Sequence, residues 1–254
     1  MPLIALLTDF GTRDGYVAAM KAVIKTICPQ ASIIDISHDI APQQVAEARF
    51  VLWSTYRYFP VGTVFVCVVD PGVGTERKIF AVKTGQQIFL VPDNGLLDMV
   101  LAETEIEAAY TVANPHLFLP QISSTFHGRD IFSPVAAHLL NETPLAEIGP
   151  AVSLKQPAPF IRPILRKGSH EGTVIYIDRF GNLVTSFRMN IMPEAAIVIG
   201  EAQLPLKKTY ADVKVGEALA LTGSHGLIEI AVRNGNAQKM FDAGYETKIE
   251  LVIK

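Results

Sequence analysis

LIALLTDFGTRDGYVAAMKAVIKTI, residues 3–27, decides the architecture. Leu3–Leu7 is an unbroken apolar run, as expected of a strand buried on both faces. It stops at Thr8-Asp9-Phe10-Gly11, and apolar side chains then recur at helical spacing through Tyr16, Met20, Val23, Ile24 and Ile27 until Pro29. The unit repeats downstream, with a strand at Ser32–Ile36, a helix over Ala41–Tyr58 and a β-branched strand at Thr63–Val69. Strands alternating with helices imply parallel βαβ units and a mainly parallel central sheet.

Further along, Ile79–Val91 reads as a hairpin around Lys83-Thr84-Gly85-Gln86. Asn94–Ala102 returns to helical spacing, a short strand follows near Ala109–Val112, and the FHGRD loop leads into a helix begun by Ser133 or Pro134. An α/β domain is therefore expected over residues 1–155. The Pro-rich segment 156–170 breaks the alternation as a linker does. Over 171–254 come short β-type runs at Thr173–Ile177, Leu183–Phe187, Ala196–Ile199, Ala218–Leu221, Leu227–Val232 and Lys248–Ile253. Their Gly, Asn and Asp turns suggest a small β-barrel or sandwich.

A chain of 254 residues can bury two modest cores without disulfide or metal staples. Its net charge of -3 and lack of a Lys/Arg run give no footprint for a phosphate backbone, which argues against nucleic acid. Cys28 and Cys67 form neither a CxxC site nor a disulfide framework, which fits a reducing cytoplasm. The opening MPLIALLTDF has no basic flank and falls far short of the ~20 apolar residues of a membrane span. It reads as a buried strand, with no membrane partner expected.

Ligands of open α/β sheets sit beyond the carboxyl ends of the strands, where this chain places Asp9, His38-Asp39 and Asp70. These could converge on one crevice, although Asp9 and Asp39 could equally cap the helices that follow. In VVDPGVGTER a buried strand ends at Asp70, turns through glycines and presents Arg77, so the two can pair for structure or for function. The spacing is not GxGxxG and no helix follows, so a dinucleotide site is unsupported. His127 titrates near neutral pH, and Gly128 beside it is expected to leave room for a reacting water.

Three motif matches fail on context. DFG at Asp9 and HGRD at His127 lack the phosphate loop and the order of a kinase. TGSHG around Ser224 has Thr222 at the first Gly position of a nucleophile elbow and lies in β-rich sequence. No HExxH or other dense ligand spacing occurs, and no metal site is expected, although folding could bring distant ligands together. A metal-dependent hydrolase of a nucleoside-type substrate is therefore the alternative enzyme reading.

TDFGTRDGYVAAMKAV, DISHDI, GTVFVCVVDPGVGTER, VPDNGLL, STFHGRDIFSPVAAHL and IDRFGNLVT together resemble the S-adenosyl-L-methionine hydroxide adenosyltransferases, relatives of the fluorinases and chlorinases. The resemblance spans almost the whole chain and is looser after IDRFGNLVT. It implies an N-terminal α/β domain, a C-terminal β-barrel, and a homotrimer with substrate held between one subunit's N-domain and a neighbour's C-domain. The implied reaction is attack of water on ribose C5′ of S-adenosyl-L-methionine, giving adenosine and L-methionine, with no cofactor. A non-catalytic S-adenosyl-L-methionine-binding module is the contrasting class.

The resemblance also implies residue roles. Asp9 matches the carboxylate that binds the ribose hydroxyls, and Asp14 a position close to the substrate. Asp178, Phe180 and Asn182 match contacts to the methionine amine and adenine, Ser224 a contact to the methionine carboxylate, and Arg233 a residue near adenine. His225 stands where the halogenating relatives have Arg. The catalytic set maps onto Asp70, Arg77 and His127: Arg77 stays charged and orients Asp70, while Asp70 and His127 are both candidate proton acceptors. Fluorinases carry Tyr where this chain has Asp70 and Ser where it has Gly128. A carboxylate there repels halide and suits water, so hydrolysis is expected over halogenation.

Overall fold

A computed structural model describes residues 3–85, 87–163, 168–188 and 195–253. The chain divides into two compact units, the first ending at Ala158 and the second beginning at Pro159. Gln86 of the expected hairpin turn and residues 164–167 of the expected linker lie outside the described residues.

In the first unit β1 (Leu3–Thr8), α1 (Tyr16–Ile27), β2 (Ser32–Ser37), α2 (Val45–Thr55) and β3 (Val64–Val68) follow in order. Then come β4 (Ile79–Thr84), β5 (Gln87–Pro92), α3 (Asp98–Leu101), β6 (Ala108–Thr111) and α4 (Ser133–Leu140). The six-stranded sheet has the order β2-β1-β3-β5-β4-β6. Its first four strands run parallel, and β4 is antiparallel to both β5 and β6.

Every residue of β1 is buried, which is why its sequence is continuously apolar rather than alternating. Ile4, Leu6, Val64, Val66 and Leu90 pack on one face with Met20 and Ile24 of α1 and Val135, Ala136 and Leu139 of α4. The alternate positions Phe65 and Phe89 stack at 4.8 Å on the other face, edged by Phe59 and Tyr56.

Two helices are shorter than their periodicity predicts. The helix expected from Ala41 starts at Val45, because Gln43 takes a left-handed backbone with φ of 66°. The helical stretch expected over Asn94–Ala102 contracts to α3: Gly95 turns left-handed at φ 81°, and the Asn94 side chain bonds Val69 and Leu96 instead. Conversely, winding in the FHGRD segment begins before Ser133, as a π-helical turn over Gly128–Phe132.

The second unit contains β7 (Arg162–Pro163), β8 (Gly168–Ile177), β9 (Leu183–Thr185), β10 (Phe187–Arg188) and β11 (Ala195–Ile199). It continues with β12 (Ala202–Lys207), β13 (Ala218–Thr222), β14 (Ile228–Val232), α5 (Ala237–Phe241) and β15 (Lys248–Ile253). A closed barrel runs β11-β12-β13-β14-β9-β8-β15, and β7 and β10 form a separate short pair. Closure leaves the barrel no open sheet edge. The run Leu183–Phe187 divides at Ser186, whose hydroxyl accepts from Thr173 N–H. The strand β12 and the helix α5 were not legible in the sequence: Pro205 and the short polar-flanked run obscured the first, and α5 has only five residues.

No helix among the described residues is long and apolar enough to cross a membrane. Phe187 is fully buried in the barrel core, and a Cβ on Gly172 would lie 2.5 Å from its ring. Phe187→Ala should therefore destabilise the protein by about 3–5 kcal/mol, read as a lower denaturant midpoint in equilibrium unfolding.

Candidate active site

Beyond the carboxyl ends of β1 and β3 lies a cavity of about 640 Å³. Its walls include Asp9, Phe10, Tyr16, Gln43, Asp70, Phe126, His127 and Gly128. Of the strand-end residues, Asp9 and Asp70 converge here, but His38 and Asp39 do not. The His38 ring turns under the β1 loop, with Nδ1 2.8 Å from Thr8 Oγ1, while Asp39 is exposed away from the cavity. Neither aspartate caps a helix, since the residues at the starts of α1 and α2 are Gly15 and Gln44. Asp9 instead accepts the Gln43 backbone N–H at 2.8 Å.

Asp70 emerges from β3 into a tight turn. Its carbonyl accepts Val73 N–H at 3.2 Å, and Gly72 carbonyl accepts both the backbone and hydroxyl of Thr75. Gly74 has φ of 78°, and a Cβ there would lie 2.3 Å from the Ser124 carbonyl oxygen. Glycine thus permits the turn to press against the loop that carries His127. On the opposite side Asn94 Nδ2 donates to Val69 carbonyl at 2.8 Å, fixing the residue before Asp70.

The turn delivers Arg77 between the other two groups. Its Nε lies 3.0 and 2.8 Å from the Asp70 carboxylate oxygens, and its Nη2 lies 2.5 Å from Asp70 Oδ2. The same Nη2 is 2.9 Å from His127 Nδ1. The Asp70 side chain is only 5% exposed, so this is a largely desolvated ion pair. A guanidinium only donates; His127 Nδ1 must accept, which leaves the ring proton of the neutral imidazole on Nε2. Burial and the neighbouring Arg77 charge push the His127 pKa below 6.5, against the opposing effects of Asp70, Asp130 and a hydrogen bond to the Ser123 backbone.

His127 is held from its own loop. Ser123 N–H donates to Asp130 Oδ2 at 2.8 Å, and Ser123 Oγ accepts Phe126 N–H at 3.0 Å. Burial raises the Asp130 pKa, but hydrogen bonds from Arg129 and Ser123 outweigh it and keep the carboxyl below its ordinary value. Gly128 lines the cavity beside His127, and its lack of a side chain also serves packing. A Cβ there would lie 3.2 Å from Phe10 Cε2 and 3.3 Å from Met20 Sδ, so the glycine permits close packing of its turn against the loop after β1 and against α1.

Sequence reading missed the aromatic wall. Phe10, Tyr16 and Phe126 meet mutually at centroid distances of 6.0, 5.7 and 5.1 Å. The adjacency of Phe126 to His127 is the signal the sequence offers, whereas Tyr16 falls within the helical apolar stripe of α1. Asp14 lies exposed in the loop before α1 and does not line the cavity. No group of three or more His, Cys, Asp or Glu side chains among the described residues is arranged to hold a metal.

The remaining predicted residues belong to the barrel unit. Asp178, Phe180 and Asn182 share one turn, in which Asp178 Oδ1 accepts both Phe180 and Asn182 N–H groups and Oδ2 accepts Asn182 Nδ2 at 2.8 Å. Asn182 is 8% exposed and spends one amide proton internally, whereas Phe180 is 74% exposed. Ser224 is exposed; beside it His225 Nδ1 accepts Leu227 N–H at 3.1 Å, and Nε2 lies 3.4 Å from Glu229. Arg233 donates to the carbonyls of Val213 and Ala211, at 2.7 and 3.3 Å.

Residues 4–149 match the SAM hydroxide adenosyltransferase N-terminal domain, and residues 172–250 the corresponding C-terminal domain. A protein of Salinispora arenicola named (R)-S-adenosyl-L-methionine hydrolase is 37% identical over 244 residues, covering 93% of this chain and 92% of that one. A protein of Actinoplanes sp. named fluorinase is 29% identical, with 91% and 90% covered. The crystal structure of an uncharacterized conserved protein from Thermotoga maritima superposes with a TM-score of 0.89 at 37% identity, covering 98% of this chain and 99% of that one.

A depressed His127 pKa has a defined sign. Below 6.5 the unfolded chain takes up the proton more readily than the folded one, so the stability carried by the neutral ring is complete above that value and is lost as pH falls through the folded pKa. Unfolding titrations at a series of pH values should show this acid loss in the parent and its absence in His127→Asn. A parent whose stability gained on acidification through the same window would contradict the neutral, Arg77-bonded ring.

Proposed function

The chain belongs to the SAM hydroxide adenosyltransferase family, and we propose that Asp70, Arg77 and His127 are the groups with which it hydrolyses S-adenosyl-L-methionine to adenosine and L-methionine. The observation that carries this reading is the Arg77 guanidinium bridging Asp70 and His127 on the wall of a cavity that also presents Asp9.

Water oxygen attacks ribose C5′ from the side opposite sulfur. The C5′–S bond breaks, its electron pair returns to sulfur, and methionine leaves as a neutral thioether, so no general acid is required. One water proton goes to Asp70 and the other remains on the new 5′-hydroxyl. Asp70 is the better acceptor because His127 Nδ1 is occupied by Arg77 and Nε2 already carries a proton. His127 is then a neutral ring that holds Arg77 in place, since protonating Nδ1 would place two donors face to face. The aromatic wall of Phe10, Tyr16 and Phe126 offers π faces that favour a sulfonium, and its apolar surface excludes bulk water. Asp9 binds the ribose hydroxyls, with Asp14 near the substrate. Asp178, Phe180, Asn182, Ser224 and Arg233 supply the amine, carboxylate and adenine contacts from a barrel.

Finer attributes follow from the same reading. The substrate is the (R) sulfonium epimer, as in the name borne by the Salinispora arenicola relative. The assembly is a homotrimer in the cytoplasm, where the free, buried Cys28 and Cys67 stay reduced. No metal or cofactor takes part, because the sulfonium is already the electrophile.

Turnover in water enriched in heavy oxygen should put the label in the 5′-hydroxyl of adenosine and none in methionine. Halogenated adenosine as the main product in chloride or fluoride would displace water as the nucleophile. Tight binding without product over many active-site equivalents would favour a binding module. Exhaustive chelation should leave the rate unchanged; a loss restored only by one divalent ion would favour the metallohydrolase alternative. Asp70→Asn keeps the shape and should lower kcat by ~10²–10⁴-fold, and an unimpaired variant would remove Asp70 from proton transfer.

A further inference from the structure

Among the described residues Gln43 is the non-glycine residue with a left-handed backbone that lines this cavity, at φ of 66°. Such a conformation costs a side-chain-bearing residue on the order of 1 kcal/mol or more, and glycine would adopt it without strain. The backbone part of the arrangement does not explain the choice, since the Gln43 N–H that donates to Asp9 Oδ2 would be present in glycine too. What glycine lacks is the carboxamide. Gln43 is exposed and lines the cavity, and its carboxamide makes no hydrogen bond to protein among the described residues.

We infer that Gln43 is a specificity residue whose carboxamide binds one of the two ribose hydroxyls of the adenosyl group, alongside Asp9. This rests on the proposed adenosyl-binding role of the cavity. The chemistry is complementary. A carboxylate only accepts, so Asp9 can take the hydroxyl protons but leaves the hydroxyl oxygens without a donor. The Gln43 amide supplies that donor from a residue whose backbone already touches Asp9. The N–H bond to Asp9 Oδ2 thus fixes the spacing between acceptor and donor. The strained backbone is what sets both groups side by side, the kind of local strain that collects at binding sites.

The experiment is calorimetric titration of the full-length parent, Gln43→Gly and Gln43→Ala with adenosine, 2′-deoxyadenosine and 3′-deoxyadenosine. Gln43→Gly keeps the N–H to Asp9 and releases strain, so it should melt no lower than the parent, with Gln43→Ala below Gln43→Gly. Adenosine affinity should fall by about 5- to 10-fold in both variants, the worth of one hydrogen bond. For the deoxynucleoside lacking the contacted hydroxyl, parent and variants should bind alike; a general structural disturbance would not show that selectivity. Equal loss for all three nucleosides would assign the carboxamide to the base and overturn the inference. Adenosine affinity of Gln43→Gly within twofold of the parent would also overturn it, while leaving the hydrolase reading intact. A parent that binds no adenosine would overturn both.

Discussion

The contact on which the site depends is the guanidinium of Arg77 between the carboxylate of Asp70 and Nδ1 of His127. A planar fork with fixed donors can satisfy both at once, whereas a lysine ammonium would match neither geometry as well. Burial and the same contact together favour the neutral His127 ring, and because Nδ1 accepts from Arg77 the ring proton sits on Nε2. Removing the cation would leave a nearly buried carboxylate without compensation.

Much of the first unit's irregular structure supports that contact. Gly74 lets the Asp70 turn meet the Ser124 carbonyl, Asn94 ties Val69 from the far side, and Asp130 organises the loop that carries His127. Beneath them, parallel strands buried on both faces give a rigid platform from which β1 and β3 end at the same level. Gln43 shows the converse, since its left-handed backbone shortens α2 but brings its N–H to Asp9.

The barrel unit is organised by a separate core around residues such as Val174, Leu183, Phe187 and Leu251. Its 178–182 turn is a self-contained device in which the Asp178 carboxylate collects three N–H groups. That pattern fixes the turn and leaves Phe180 projecting into solvent.

The sequence by itself determined the α/β class of the first unit and put forward several of the polar groups that line the cavity. Continuous apolar strands followed by helical spacing specify parallel βαβ units because burial on both faces leaves no alternation to read. The polar residues at strand ends, Asp9 and Asp70, and the FHGRD loop stood out because they interrupt such runs. What only the tertiary structure decided were contacts made across sequence. The 50 residues separating Arg77 from His127 hide which ring nitrogen is bonded, and hence which group takes a proton. The aromatic wall, the packing of Gly128 against Phe10 and Met20, and the strain at Gln43 were equally hidden, as were β12 and α5. Each is fixed by neighbours distant in the chain or by a local conformation too short to leave a period, whereas hydrophobic spacing reports only the face a residue presents to the core.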